Sequence, residues 1–241
     1  MKRPPLSPTS LRRFPKYRAV AQALVDQGWD YITSGDIARA CDMQEILVRK
    51  DLAQTGVVGR RRCGYPLKEL VRALTNTIGW NQHHRIVVMG AGRLAEALVE
   101  LPAFAKCNIS FSFAADPNPA KVGGELCGIP IISDEEAYRR LAKDPIRLAI
   151  LTVPTEVAQA VSDRLVKVGV RAIMNFTAVT LTVPDGVEVV EADVLPYLAV
   201  LSHALKDANA RAAPDEVRPA AAGGAKAKRL RRSPDRKAVR K

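Results

Sequence analysis

The sequence predicts an α/β protein, with an N-terminal winged helix-turn-helix joined to a doubly wound parallel sheet. Helical apolar periodicities followed by an arginine-rich bend fill residues 11–80. A β-branched run leads through a glycine turn into a helical pattern at 85–100. Beyond it, apolar strands alternate with helical segments to about residue 192, the pattern of a parallel sheet.

Residues 17–27 place Tyr17, Val20, Ala21, Leu24 and Val25 on one face, predicting an amphipathic helix ended by Gly28. A short extended piece at 32–34 follows, in which Thr33 or Ser34 can cap a second helix over 35–40. A turn at Cys41-Asp42 leads into a third helix over 43–52, giving the order of a helix-turn-helix. Residues 57–65, Val-Val-Gly-Arg-Arg-Arg-Cys-Gly-Tyr, then read as two extended arms around a basic bend, a wing.

The candidate DNA-reading residues are Gln44, Arg49 and Lys50, with Glu45 and Val48 beside them, and Arg60, Arg61 and Arg62 at the wing tip. Arginine and lysine read guanine edges or hold phosphates, and glutamine reads adenine. A narrow minor groove attracts inserted arginine. The plainer alternative is a small helical cap with a solvated basic loop. A helix over 66–78 and a link over 79–84 close this half, with His83 and His84 expected to be exposed rather than catalytic.

Residues 86–89, Ile-Val-Val-Met, have the composition of a buried parallel strand. Gly90, Ala91, Gly92, Arg93, Leu94 and Ala95 follow at once as G-x-G-x-x-A, in the strand–turn–helix context of a dinucleotide phosphate site. The first glycine permits the turn, the second admits a pyrophosphate, and a small third residue lets helix and strand pack closely. From Arg93 on, Leu94, Ala97, Leu98 and Leu101 repeat at helical spacing, which predicts the helix. The alternative is a glycine turn that binds nothing.

Further strands are predicted at 109–115, 130–132, 148–153, 172–176, 180–183 and 187–190. Helices are predicted from Ser133 over 135–142, at 155–168 with Gly169 as its cap, and at 193–205. The whole is Rossmann-like. The chain therefore divides into a disordered leader (1–10), a head (11–80), a nucleotide domain (81–192), a last helix (193–205) and a basic disordered tail (206–241).

The formal net charge is +12, but the tail holds +8 of it, so DNA contact is argued from the local arginine clusters. The four cysteines form no C-x-x-C pair and the three histidines complete no zinc pattern, predicting a reduced compartment and no metal. Cys63, behind three arginines, is the thiol best placed for redox chemistry. No apolar run can span a bilayer or form a signal-peptide core, so no membrane partner and a cytoplasmic location are expected.

Six stretches together resemble the redox-sensing transcriptional repressor Rex family. They are Val-Arg-Lys-Asp-Leu at 48–52, Gly64-Tyr65, Gly-Ala-Gly-Arg-Leu at 90–94, Ile-Leu-Thr-Val-Pro at 150–154, Asn175-Phe176 and Leu201-Ser202. The resemblance implies a homodimer that binds double-stranded operator DNA when NADH is low and releases it when NADH closes the dimer. NAD(H) is then the cofactor, and the last helix is domain-swapped, with Asp193 at its start. Gly90–Ala95 would hold the pyrophosphate, Asp116 would lie at the adenosine ribose, Arg49 and Lys50 on the recognition helix, and Arg61 in the wing. Against the family pattern the chain has Ala95 for glycine, Ala114 for an acid, Leu101 for tyrosine and Ala19 for arginine, which implies a weaker NADH response.

No His, Lys or Tyr falls at a strand end beside the glycine turn in a second catalytic domain, so an enzyme is not expected. Two alternatives remain: a constitutive DNA-binding protein with a vestigial nucleotide fold, and an NAD-dependent oxidoreductase.

Overall fold

The computed structural model describes residues 6–144 and 146–212. The chain divides into two compact units, Met1–Asp193 and Val194–Lys241.

The head begins with α1 (Pro8–Asp26), capped by Ser7, whose side chain accepts from the Ser10 amide. This helix starts inside the stretch expected to be a leader and runs nine residues ahead of its predicted first turn. Pro15 lies within it and removes one backbone donor. Burial decides the outcome: Phe14 and Tyr17, on either side of that proline, are both fully buried. Residues 1–5 of the predicted leader lie outside the described residues.

The antiparallel pair β1 (Tyr31–Ile32) and β2 (Tyr65–Pro66) joins the two sides of the head. α2 (Ser34–Cys41) opens with a capping box between Thr33 and Asp36. Asp42, in the left-handed region, turns the chain into α3 (Glu45–Thr55), whose N-cap is Gln44. α4 (Leu67–Thr77) completes the head. Ile37, Val48, Leu52, Leu67, Leu70 and Leu74 fill its core with Phe14 and Tyr17.

The wing differs from its reading. Its arms touch through one bridge, Arg60 to Gly64, and Tyr65 pairs with Ile32 rather than continuing a hairpin. Gly64 sits at φ +90°, and a Cβ there would lie 2.3 Å from the Ile32 carbonyl oxygen, so the wing base presses directly on β1. At the neck, Arg18 donates to Thr75 Oγ1 (2.8 Å) and stacks over Trp80.

The nucleotide half is a seven-stranded sheet. Its strands are β3 (His84–Met89), β4 (Ile109–Ala115), β5 (Glu125–Leu126), β6 (Ile129–Ile132), β7 (Leu148–Leu151), β8 (Ala172–Asn175) and β9 (Glu188–Glu191). Their spatial order is β5-β6-β4-β3-β7-β8-β9, parallel except for β5 against β6. α5 (Arg93–Val99) and α6 (Pro102–Lys106) follow β3; α7 (Asp134–Lys143) follows β6 and α8 (Thr155–Lys167) follows β7. Chain direction across the sheet reverses between β3 and β7, which opens a crevice at their carboxyl ends.

Two cores sandwich the sheet. Ile86, Val88, Ala114 and Ile150 pack with Ala95 and Leu98 of α5 on one face. Val87, Met89, Ala149 and Leu151 pack with Tyr138 and Leu165 on the other. Residues 180–183 form no strand, because the Gln159 amide clamps Thr182 N–H and C=O at 2.9 Å each. β5 and α6 were not legible in the periodicity.

In the second unit, α9 (Leu195–Ala212) outruns the predicted end at 205. Leu195, Tyr197, Leu198, Leu201 and Leu205 on it are all exposed. The basic residues beyond 212 lie outside the described residues. No described helix is long and apolar enough to cross a membrane, and no metal-holding cluster of His, Cys, Asp or Glu occurs among the described residues.

Candidate functional site

The crevice between β3 and β7 holds a cleft of about 660 Å³. Gly90 forms its floor at φ +97°, and a Cβ there would lie 2.7 Å from the Thr152 carbonyl oxygen. Thr152 needs that closeness: its Oγ1 donates toward the Met89 and Gly90 carbonyls at 3.0 and 2.9 Å. Gly90 is therefore demanded by the protein itself. Gly92 is not. Its backbone is extended and a Cβ there would meet nothing within 4 Å, so no protein neighbour requires this glycine.

Ala91 and Asp116 are joined to each other. The Asp116 carboxylate is buried and accepts from the Ala91 amide (3.0 Å), the Asn118 amide (2.9 Å) and Lys121 Nζ (2.8 Å). Lys121 also donates to the Ala91 carbonyl at 3.0 Å. The pair clamps the glycine turn from below, so the Ala91 amide faces Asp116 and is not free for a pyrophosphate. Burial by itself raises the Asp116 pKa; the Lys121 ammonium and the two amides outweigh it and hold the carboxyl below its usual range.

Of the other predicted cofactor residues, Arg93 is exposed at the first turn of α5 and Ala95 is fully buried against the sheet. Leu94 and Leu101 are 44% and 47% exposed; α5 stops at Val99, so Leu101 lies beyond it as the N-cap of α6. Gly90, Gly92 and Asp116 line the cleft, joined by Lys121, Thr152, Pro154, Val157, Asp134 and Arg164, which sequence reasoning did not assign. The Asp116-x4-Lys121 spacing was the available signal, with no rule to read it. The apolar wall of Val153, Val157 and Val161 and the open glycine suit a nucleotide.

On the head, Lys50, Arg61 and Arg62 are exposed and make no ion pair among the described residues. Arg49 is exposed but pairs with Glu45 at 2.6 Å, and Ser34 donates to that same carboxylate at 2.9 Å. Arg60 is drawn back onto Tyr31, donating to its hydroxyl at 2.6 Å and stacking over its ring. Gln44 is exposed at the α3 start, whereas Val48 is fully buried and leaves the candidate set. Cys63 is an exposed free thiol at the wing tip.

Beneath this surface lies a buried network that the sequence did not reveal. Asp51 of α3 accepts two bonds from Arg13 (2.6 and 2.7 Å) and one from the Tyr17 hydroxyl (2.8 Å), fixing the recognition helix to α1. Burial works to raise the Asp51 pKa, but these donors outweigh it and keep the carboxylate ionised; burial and Asp51 together push the Tyr17 phenol far up.

A DNA-binding head joined to a sheet with a dinucleotide-type cleft defines a nucleotide-responsive transcription factor. Family comparison agrees: residues 81–179 match a family model described as "CoA binding domain", and residues 6–53 match one described as "Putative DNA-binding protein N-terminus". A redox-sensing transcriptional repressor Rex of Treponema denticola is 35% identical, across 80% of this chain and 91% of the relative. One of Roseiflexus sp. is 33% identical, across 81% and 89%. The crystal structure of RSP, a Rex-family repressor, in complex with β-NAD+ and operator DNA superposes with a TM-score of 0.80 at 26% identity, covering 89% of this chain and all of that one. RSP in complex with β-NADH gives 0.76 at 26% identity, across 86% and 97%. The chain belongs to the Rex family of redox-sensing transcriptional repressors.

Proposed function

We propose that the cleft at Gly90–Asp116 holds NAD(H) and that its reduction state sets how the head of this redox-sensing repressor grips operator DNA. The bound dinucleotide supplies a ring that is charged when oxidised and neutral when reduced. The observation carrying this reading is Gly92, a glycine with no protein neighbour to require it, at the sheet crevice where such ligands bind. Gly92 and the amides opening α5 receive the diphosphate, Gly90 and Thr152 form the floor, and Ala95 brings α5 close to the sheet. Lys50, Arg49 and Gln44 read the major groove while Arg61 and Arg62 hold backbone phosphates.

The working species is a homodimer in the cytoplasm. The exposed apolar residues of α9 form the kind of surface that a second subunit covers, by exchange of this helix. Swinging a two-state equilibrium from 1:99 to 99:1 needs roughly 5.5 kcal/mol of differential binding, which two cofactor sites share. The decisive experiment is operator binding at fixed salt with NADH, NAD+ and no cofactor in parallel. NADH is expected to release the DNA. Identical binding in all three arms overturns the reading in favour of a constitutive DNA-binding protein. Sedimentation of the full chain and of a chain cut after residue 193 tests the dimer; loss of dimer in the second is expected.

A further inference from the structure

The adenosine half of a dinucleotide in such a sheet lies on the side of the strand that follows the glycine turn, where an acidic side chain ordinarily accepts from the ribose hydroxyls. On that side the cleft presents two carboxylates. Asp116, just beyond β4, is buried and bonded to Ala91, Asn118 and Lys121. Asp134, just beyond the neighbouring strand β6, is half-buried in the cleft wall and makes no hydrogen bond or ion pair among the described residues. Asp134, Glu135 and Glu136 all lie in the first turn of α7, where the helix dipole favours acid, but of the three only Asp134 lines the cleft. A carboxylate taken half out of water without a partner is costly unless something arrives to donate to it. Burial first, then Glu135 and Asp116, push its proton affinity up, with Arg164 opposing, which marks the same unmet demand.

We propose that Asp134, not Asp116, is the acceptor for the adenosine ribose hydroxyls, and that its charge excludes nucleotides carrying a phosphate on that ribose. Asp116 is the positioning residue that holds the turn. This rests on the reading of the cleft as a dinucleotide site.

Calorimetric titration of the full chain with NADH and NADPH, and with ADP and adenosine 2′,5′-bisphosphate as fragments, tests it. Wild type is expected to bind NADH about tenfold or more tightly than NADPH, because a hydroxyl donor is replaced by an anion facing an anion. Asp134→Asn is expected to weaken NADH about tenfold and to bring the NADH:NADPH affinity ratio close to one, with the fragments following the same order. A loss of folding moves both affinities together and leaves their ratio unchanged, so the ratio isolates the interaction. NADH binding by wild type without preference, or an unchanged ratio in an Asp134→Asn variant that keeps the wild-type urea midpoint, overturns the assignment while leaving the cleft a dinucleotide site. Tighter NADPH binding by wild type overturns it in favour of Lys121 as the reader of that end. Failure of every nucleotide to bind overturns the assignment and the site together.

Discussion

The cleft and the DNA face hold their polar groups in opposite states. In the cleft, Gly90, Ala91, Asp116, Lys121 and Thr152 are tied to one another, and Asp134 stands apart. Of the candidate DNA-reading residues on the head, Lys50, Arg61 and Arg62 make no ion pair among the described residues, while Arg49 and Arg60 are held by neighbours. The difference suits the recognition proposed for each surface. A diphosphate is gripped by backbone amides, so the backbone must be fixed to within a fraction of an ångström. DNA phosphates are gripped by displacing counterions, for which a mobile charge in roughly the right place suffices. The head keeps its rigidity one layer down, in the bonds from Arg13 and Tyr17 to Asp51.

That contrast can be broken most severely from inside the head. Asp51→Asn leaves the Arg13 guanidinium without its charge partner and is expected to cost about 3–5 kcal/mol, abolishing operator binding while the sheet still binds NADH. Urea denaturation and NADH titration of the same preparation separate the two effects. Acid probes the same group. The folded pKa of Asp51 lies below its ordinary value, so its contribution is complete above about pH 4 and is lost as pH falls through the depressed folded value. Wild-type stability should fall with acid in that window more steeply than that of the Asn variant.

In the cleft, the two glycines should part company. Gly90→Ala meets both a left-handed φ and the Thr152 carbonyl, and is expected to cost about 2–3 kcal/mol and to lose cofactor. Gly92→Ala meets nothing, and should leave stability within about 0.5 kcal/mol while weakening NADH at least tenfold. Equal losses of stability in both would erase the distinction between a glycine the fold requires and one the ligand requires. The smallest effect belongs to the wing. Arg61→Ala and Arg62→Ala should change stability by less than about 0.5 kcal/mol, and for every DNA phosphate left unneutralised the log–log salt slope of binding should flatten by about 0.9. Arg62→Gly should even stabilise slightly, since Arg62 sits at φ +64°.

Backbone-driven features were the legible ones. Residues 109–115 form a strand at both predicted ends, and the glycine turn lies between a strand and a helix as its motif required. Side-chain rivalry was not legible. Residues 180–183 alternate like a strand, yet Gln159, some twenty positions earlier, takes the hydrogen bonds a neighbouring strand would have made. Prolines at positions 8 and 15 concealed the first half of α1, whose burial depends on Asp51 and the α4 leucines far along the chain. The position of Asp116 was legible from its strand end, whereas its bonds to Lys121 and Ala91 show only in the fold.

That prior claim has an energetic sequel. A loop whose shape is dictated from beneath arrives at its encounter already moulded, so little entropy is lost in shaping it when the nucleotide docks. On the proposed reading, attraction that a floppier loop would use up on its own ordering would then be left available to bias one quaternary arrangement over another.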